Sequence, residues 1–501
     1  MPRPLVTTPL FYTNSVEHIG HAASSVLADA LARWTGADLL TGTDEHGSKI
    51  FDAAKARGMA PQPFVDEVSA SFETMARRLD IRAAARIRTT APEHARTVHA
   101  LWSRLRPHIE LQQHQGWYCA AEEAFIPDKD VNVEAQCVRG PLQQRVHFVS
   151  EPNYKFLFDP ARVRSAVDSM EILPASRRAE VNEWLRSPTA GALSVSRPRE
   201  RVPWALPVPG DDTQSIYVWV DALAGYLKGA ELDPDCARPA LVSEAAWPRA
   251  ATHVVGKDIL RFHAVVWPAL LLAAGLEPPA RVVAHGHWLV DGKKMSKSIG
   301  NVVAPLAVLD GPCAGQPDLL RYFLLRYSSL DADADFARDV FRERVNADLA
   351  NNLGNLLSRA TAKALWAGVD DNDVPVVDSS EHASAVALVS ECYRAADFAK
   401  GLERVMLMLN DENRRIESRA PWKDAKAKNW AGVASTLALA LNTLRIASVL
   451  LAPATPGLAR TMQETLGVQT EHALLEPWRV QRPLVGRPVL VNKIDSICTR
   501  T

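Results

Sequence analysis

The chain opens Pro4-Leu5-Val6-Thr7-Thr8-Pro9, passes through His18-Ile19-Gly20-His21, and continues Ser24-Ser25-Val26-Leu27-Ala28-Asp29-Ala30-Leu31-Ala32-Arg33-Trp34. The first piece reads as a short strand and the last as a helix, with Val26, Ala30 and Ala32-Arg33 facing inward. A strand that hands over to a helix through a polar turn is the opening unit of a parallel α/β sheet. His18 and His21 then fall on the first helical turn, three residues apart on one face. That position offers unpaired backbone N–H groups, the positive end of the helix dipole and two imidazoles able to donate to phosphate oxygens. Gly20 would let a base or ribose approach the backbone without meeting a Cβ. Spacing alone leaves a plainer alternative open: two histidines that only cap a helix.

A second cluster lies far downstream. Arg281-Val282-Val283-Ala284-His285-Gly286-His287-Trp288-Leu289-Val290 reads as a strand, with a turn at Asp291-Gly292. Lys293-Lys294-Met295-Ser296-Lys297-Ser298 follows, on a predicted loop bounded by Gly292 and Gly300. Lysines there act as mobile point charges against phosphate. A solvated basic turn is the ordinary reading of clustered lysines; Met295-Ser296 and the preceding strand tell against it. One reaction needs both clusters and no side-chain nucleophile: attack of a carboxylate on the α-phosphorus of ATP, expelling pyrophosphate. The carboxylate is already ionised at pH 7. Catalysis then consists of aligning two anions and stabilising charge growing on phosphate, with Mg²⁺ shared by the phosphates.

The two motifs resemble the signatures of class I aminoacyl-tRNA synthetases, and further stretches resemble the methionyl-tRNA synthetase family in its short bacterial and mitochondrial form. These are Thr7-Thr8-Pro9-Leu10-Phe11-Tyr12, Thr41-Gly42-Thr43-Asp44-Glu45-His46-Gly47, Gly116-Trp117-Tyr118-Cys119 and Pro207-Val208-Pro209-Gly210-Asp211. Downstream are Tyr217-Val218-Trp219-Val220-Asp221-Ala222-Leu223, Gly256-Lys257-Asp258-Ile259-Leu260-Arg261-Phe262-His263 and Asn346-Ala347-Asp348-Leu349-Ala350-Asn351. The resemblance implies ATP-dependent ligation of L-methionine to tRNA(Met) through methionyl-adenylate. It implies a methionine pocket of Leu10, Tyr12, Asp44, Trp219, Ala222, Leu223, Tyr226, Ile259, Phe262 and His263. Asp44 would meet the ammonium and the aromatic rings the thioether, with Tyr226 or His263 donating weakly to sulfur. Catalysis would fall to His18, His21, Lys294 and Lys297. ATP would lie on these with Gly20, and Gly256 and Asp258 near the ribose. Asn355 and Arg359, four apart on a helix, would read the CAU anticodon with Trp422 as a stacking platform.

Composition sets bounds. The chain has 501 residues, 47% of them hydrophobic, and a net charge of −1, so it reads as a soluble multi-domain chain and an RNA surface would be a local patch. Six scattered cysteines form no C-x-x-C pair, so Cys119 and Cys137 alone cannot build the zinc knuckle of some family members, and no structural zinc is expected. No run of eighteen apolar residues suggests a membrane span. No presequence precedes the first strand; from the resemblance, the expected compartment is the mitochondrial matrix, or else a bacterial cytoplasm.

The expected fold is a Rossmann-like, doubly wound parallel sheet split by a connective insertion and followed by an α-helical anticodon-binding bundle. Residues 1–112 form its first half, 113–213 the insertion, 214–290 the second half, 291–345 a connector with the lysine loop, and 346–501 the bundle, with a return strand near 488–494. No appended oligomerisation domain is visible, so a monomer is expected. Between His21 and Asp44 the family's usual turn is missing, leaving Trp34-Thr35-Gly36 to reverse the chain. Three rival readings fit the sequence less well. A synthetase for another aliphatic amino acid lacks room here for a large editing insertion. A small-molecule nucleotidyltransferase would not need the helical C-terminal part. A non-catalytic RNA-binding paralogue would not need both motifs intact.

Overall fold

The computed structural model describes residues 4–120, 123–126, 128–138, 144–187, 190–227, 230–231, 240–241, 251–295, 300–468 and 478–479. Lys297, with Ser296 and Ser298, lies outside the described residues, as does the expected strand at 488–494. In chain order, β1 (Leu5–Tyr12) leads to α1 (Ile19–Thr35), β2 (Asp38–Asp44), α2 (Ser48–Ala56), β3 (Ala85–Arg88) and α3 (Pro92–Leu105). Then come β4 (Glu171–Leu173), α4 (Val218–Ala224), β5 (Ala251–Gly256) and β6 (Arg281–His285). The chain divides into two compact units.

The first unit comprises residues 1–17, 37–74 and 82–284. Its sheet runs β3-β2-β1-β5-β6-β4, with β3–β2, β2–β1, β1–β5 and β6–β4 paired in parallel. Strands buried on both faces must be apolar throughout, as Val282, Val283 and Ala284 are. A separate antiparallel sheet joins Ala192–Ser194, His147–Leu157, Ile109–Cys119 and Ala124–Ile126 in that order. Within the stretch expected as an insertion, β4 instead pairs with β6 of the parallel sheet, in register Ile172 with Val282. The strand Ile109–Cys119 runs unbroken through residue 112. Cys119 is buried in a small apolar cluster with Val131 and Val146, packed by Trp117, Ile126 and Val138.

The second unit comprises residues 18–36, 75–81 and 285–501. Its helix α1 is buried from Ala22 to Ala32 without interruption, not along one stripe. Gly36, at φ 66°, ends it in the left-handed conformation, with its N–H on the Ala32 carbonyl, and so supplies the reversal expected of residues 34–36. The strand expected across 281–290 is broken. After β6, residues Trp288–Val290 form β7, paired antiparallel with β8 (Lys293–Lys294) and parallel with β9 (Ala334–Asp335). Gly286 sits at the break: a Cβ there would stand 2.1 Å from the Ala332 carbonyl oxygen. Lys293 and Lys294 are therefore strand residues of a tight hairpin rather than loop residues. Asp291 and Gly292, at φ 53° and 69°, form its turn, as two-residue hairpins require.

The helical part includes α5 (Asn355–Ala360), α6 (Phe398–Arg419), α7 (Pro421–Lys426) and α8 (Trp430–Leu451). A π-helical stretch, Asn346–Gly354, runs directly into α5. By length and composition α8 could cross a membrane, but 83% of its apolar window is buried inside the protein, against α5, α6 and α7. That is the composition of a core helix.

Replacing Gly286 by alanine should destabilise the protein by about 1–3 kcal/mol, because backbone must shift to admit the methyl group. Urea denaturation of the two proteins measures this; equal midpoints would contradict the close approach.

Candidate functional site

In the first unit the strand order reverses between β1 and β5, and open α/β sheets bind ligands beyond the C-terminal ends of strands at such a point. Leu10 and Tyr12 close β1, Asp44 closes β2 and Gly256 closes β5. Helix α4 carries Trp219, Ala222 and Leu223, and Tyr226 follows it; Ile259, Phe262 and His263 follow β5. Trp219 and Phe262 stack with centroids 3.8 Å apart and planes within 6°. Trp219 meets His263 edge-on at 6.1 Å. The exposed Asp258 turns its carboxylate back over Gly256, where a Cβ would lie 2.6 Å from Oδ1.

The buried polar groups fix their own protons. His263 Nδ1 lies 3.0 Å from the Ile259 carbonyl, which can only accept, so Nδ1 carries the hydrogen. Its Nε2, 2.8 Å from the Tyr226 hydroxyl, therefore accepts from it. Burial pushes His263 down to about 4, so the ring is neutral at pH 7. Both groups thus have acceptors within the protein, the Tyr226 hydroxyl lying also 3.3 Å from the Thr8 carbonyl.

Asp44 is buried and its Oδ1 has no hydrogen-bond partner among the described residues. Burial first, then the nearby Asp221 and Glu123, raise its carboxyl well above the usual range. Such a group gains most from an incoming cation. Asp221, in contrast, is held well below that range. Burial works against its charge, but His46 and His94 outweigh it, with His46 Nδ1 and His94 Nε2 each 2.6 Å from the carboxylate. Glu123 accepts from the Tyr12 hydroxyl at 2.8 Å and from the Ser48 and Lys49 amides at 2.8 and 3.1 Å, capping α2. His46 and Asp221 stand inside quoted motifs but carried no role there. Glu123 and His94 gave no local signal at all.

In the second unit, the first turn of α1 is satisfied internally, not left open as expected. The Ile19 amide donates to Val303, the Gly20 amide to His18 Nδ1 at 3.1 Å, and the His21 amide to the His18 carbonyl. The His18 amide donates to His21 Nδ1 at 3.2 Å, closing a reciprocal cap, and the two rings stack at 3.7 Å. Gly20 also makes room within the protein: a Cβ there would lie 2.9 Å from His18 Cε1, where the ring folds back. With each Nδ1 accepting, the neutral rings carry hydrogen on Nε2. Burial, helped by the charge of Lys294, pushes His18 down to about 4. The positive features of this turn are the helix dipole and Lys294 rather than free amides.

Asn355 and Arg359 are exposed on α5, and Trp422 is 40% exposed on the first turn of α7, not in the core. Ala420 precedes it at φ 49°, a strained conformation for alanine that sets the turn from α6 into α7. Among the described residues no group of three or more His, Cys, Asp or Glu could hold a metal ion.

Histidine NMR should find His18 as the Nε2–H tautomer and His263 as the Nδ1–H tautomer, each titrating near pH 4 and not near 6.5. Unfolded histidine titrates near 6.5. The stability these neutral rings confer is therefore whole above pH 6.5 and lost as pH falls toward 4. Titration near 6.5 would contradict their burial.

A model of the family described as "tRNA synthetases class I (M)" matches residues 4–147 and 161–361. The mitochondrial methionine–tRNA ligase of Xenopus laevis is 38% identical, the alignment covering 93% of this chain and 86% of that protein. The methionine–tRNA ligase of Thermosynechococcus vestitus is 34% identical, covering 93% and 90%. The structure of Mycobacterium tuberculosis methionyl-tRNA synthetase in complex with methionyl-adenylate matches with a TM-score of 0.84 at 32% identity, covering 98% of this chain and 99% of that one. With both halves of the sheet, both signature turns and the helical part inside these matches, the chain belongs to the methionyl-tRNA synthetase family of class I tRNA synthetases.

Proposed function

We propose that this chain is a methionine–tRNA ligase that activates L-methionine with ATP and passes it to tRNA(Met). The observation that carries the amino-acid site is Asp44: a buried carboxylate with a free oxygen, at the mouth of an α/β sheet, near a stacked Trp219–Phe262 pair. Asp44 would hold the ammonium, and Trp219, Tyr226 and Phe262 would offer ring edges to the thioether. Leu10, Tyr12, Ala222, Leu223, Tyr226, Ile259 and His263 would shape the rest of the pocket. The unpaired substrate carboxylate attacks the α-phosphorus, pyrophosphate leaves, and the Nε2–H groups of His18 and His21 with Lys294 and Lys297 stabilise the growing phosphate charge. Gly256 and Asp258 would lie by the ribose. Mg²⁺ would arrive with the triphosphate and screen it, held by phosphate oxygens rather than by a protein cluster.

The acceptor is the 2′-hydroxyl of the 3′-terminal adenosine, which attacks the acyl carbon of the adenylate and releases AMP. Asn355, Arg359 and Trp422 would read the anticodon, with Trp422 stacking on an unstacked base. Mitochondrial and bacterial relatives are both compatible with the proposed mitochondrial matrix or bacterial cytoplasm; the chain would act as a monomer.

Methionine-dependent ATP–pyrophosphate exchange tests the first step. Asp44→Asn should raise the KM for methionine at least a hundredfold. His21→Ala should lower kcat by about 10²–10³ with little change in that KM. Trp422→Ala should leave exchange intact and weaken charging of tRNA, because base stacking is worth about 1–3 kcal/mol. A methionine KM unmoved by Asp44→Asn would refute the pocket; equal charging by the Trp422 variant would refute the anticodon surface.

A further inference from the structure

We infer that Asp221 is a positioning residue for substrate recognition: through His46 and His94 it locks Asp44 and the helix bearing Trp219 into one register. This rests on the methionine-site reading above. Asp221 lies on α4, 1% exposed, two residues after Trp219 and directly before Ala222 and Leu223. Its Oδ2 is 2.6 Å from Nδ1 of His46, and its Oδ1 is 2.6 Å from Nε2 of His94. His46 follows β2 by two residues and His94 sits in the first turn of α3. One carboxylate therefore ties three elements that the sequence separates by 127 and 175 residues.

The link to Asp44 is direct. The His46 backbone amide donates to the Asp44 carboxylate, so wherever Asp221 holds the imidazole it also holds the group that meets the ammonium. The same turn is gripped from the other side by Trp204. Its indole N–H donates to the Glu45 carbonyl at 2.6 Å, and its own carbonyl accepts the Gly47 amide at 2.8 Å. Trp204 fixes the turn's backbone, while Asp221 fixes its distance from α4. That distance is the span between the carboxylate for the ammonium and the wall for the side chain. A carboxylate suits the task because both of its oxygens accept, and each histidine presents an N–H. Asparagine can accept only one of them. Displacing a binding group by about 1 Å costs up to a hundredfold in function.

The test is ATP–pyrophosphate exchange on the full chain, with thermal melting as a folding control. Asp221→Asn should raise the KM for methionine tenfold or more, leave the KM for ATP in place, and weaken discrimination against norleucine. A mere structural brace would lower stability without this split. The histidines supply rescue pairs. His46→Asn keeps an N–H where Nδ1–H stood, and His94→Gln keeps one where Nε2–H stood; both should bind methionine more tightly than His46→Ala and His94→Ala. If Asp221→Asn does not fold, these pairs decide. An unchanged methionine KM in folded Asp221→Asn, or no difference within both rescue pairs, overturns the inference. Wild-type protein and Asp44→Asn are measured alongside. If they fail to show methionine-dependent exchange and its loss, the pocket reading falls and takes this inference with it. If they behave as expected and the Asp221 series does not, only the positioning role falls.

Discussion

Burying negative charge is the constraint around which the first unit is arranged. Asp44, Glu45, Glu123 and Asp221 are all nearly inaccessible. An uncompensated buried carboxylate is costly, so each must be paired, hydrogen-bonded or neutralised. Glu45 receives the Arg88 guanidinium at 2.7 and 3.0 Å and the Thr43 hydroxyl at 2.6 Å. Glu123 caps α2 and accepts from Tyr12, and Asp221 sits between two histidines. Asp44 alone of the four keeps an unpartnered oxygen. Three satisfied carboxylates thus accompany an unsatisfied one, an arrangement that favours a cation beside Asp44.

The second unit solves the opposite problem. Its histidine-bearing helix α1 is buried, yet it carries Asp29, which must be neutralised. Arg321, fully buried, meets Asp29 at 2.7 Å and spends its other N–H groups on the carbonyls of Leu79, Pro453 and Ala454. Arg33 adds a second pair at 2.6 Å. Removing one partner of such a cluster leaves a buried charge and costs about 3–5 kcal/mol. The helix that presents His18 and His21 is therefore fixed along its length by charge as well as by packing. At its start, their two rings stack and close the cap through Nδ1.

Features encoded within a few neighbouring residues were legible in the sequence. The strand-to-helix opening and the Asp291-Gly292 turn follow from local spacing and turn chemistry, whereas Asn355 and Arg359 came from the family resemblance. Features made by distant partners were not. Nothing near Ser48 announces that Glu123, 75 residues on, will cap its helix. Asp221 reads as a helix residue until His46 and His94 are seen beside it. Residues 171–173 read as part of an insertion because three residues carry too little pattern to reveal a parallel pairing with β6. Gly20 and Gly286 show a related limit. A glycine shows that something comes close, and only the fold shows that it is an imidazole or a carbonyl.

A pocket built as proposed on Asp44 and the Trp219–Phe262 stack would select one amino acid for activation. ATP–pyrophosphate exchange with each of the twenty amino acids, without tRNA, tests this selection. Exchange is expected with methionine, with every other amino acid at least a hundredfold weaker. Exchange driven best by another amino acid, or by none, would contradict it.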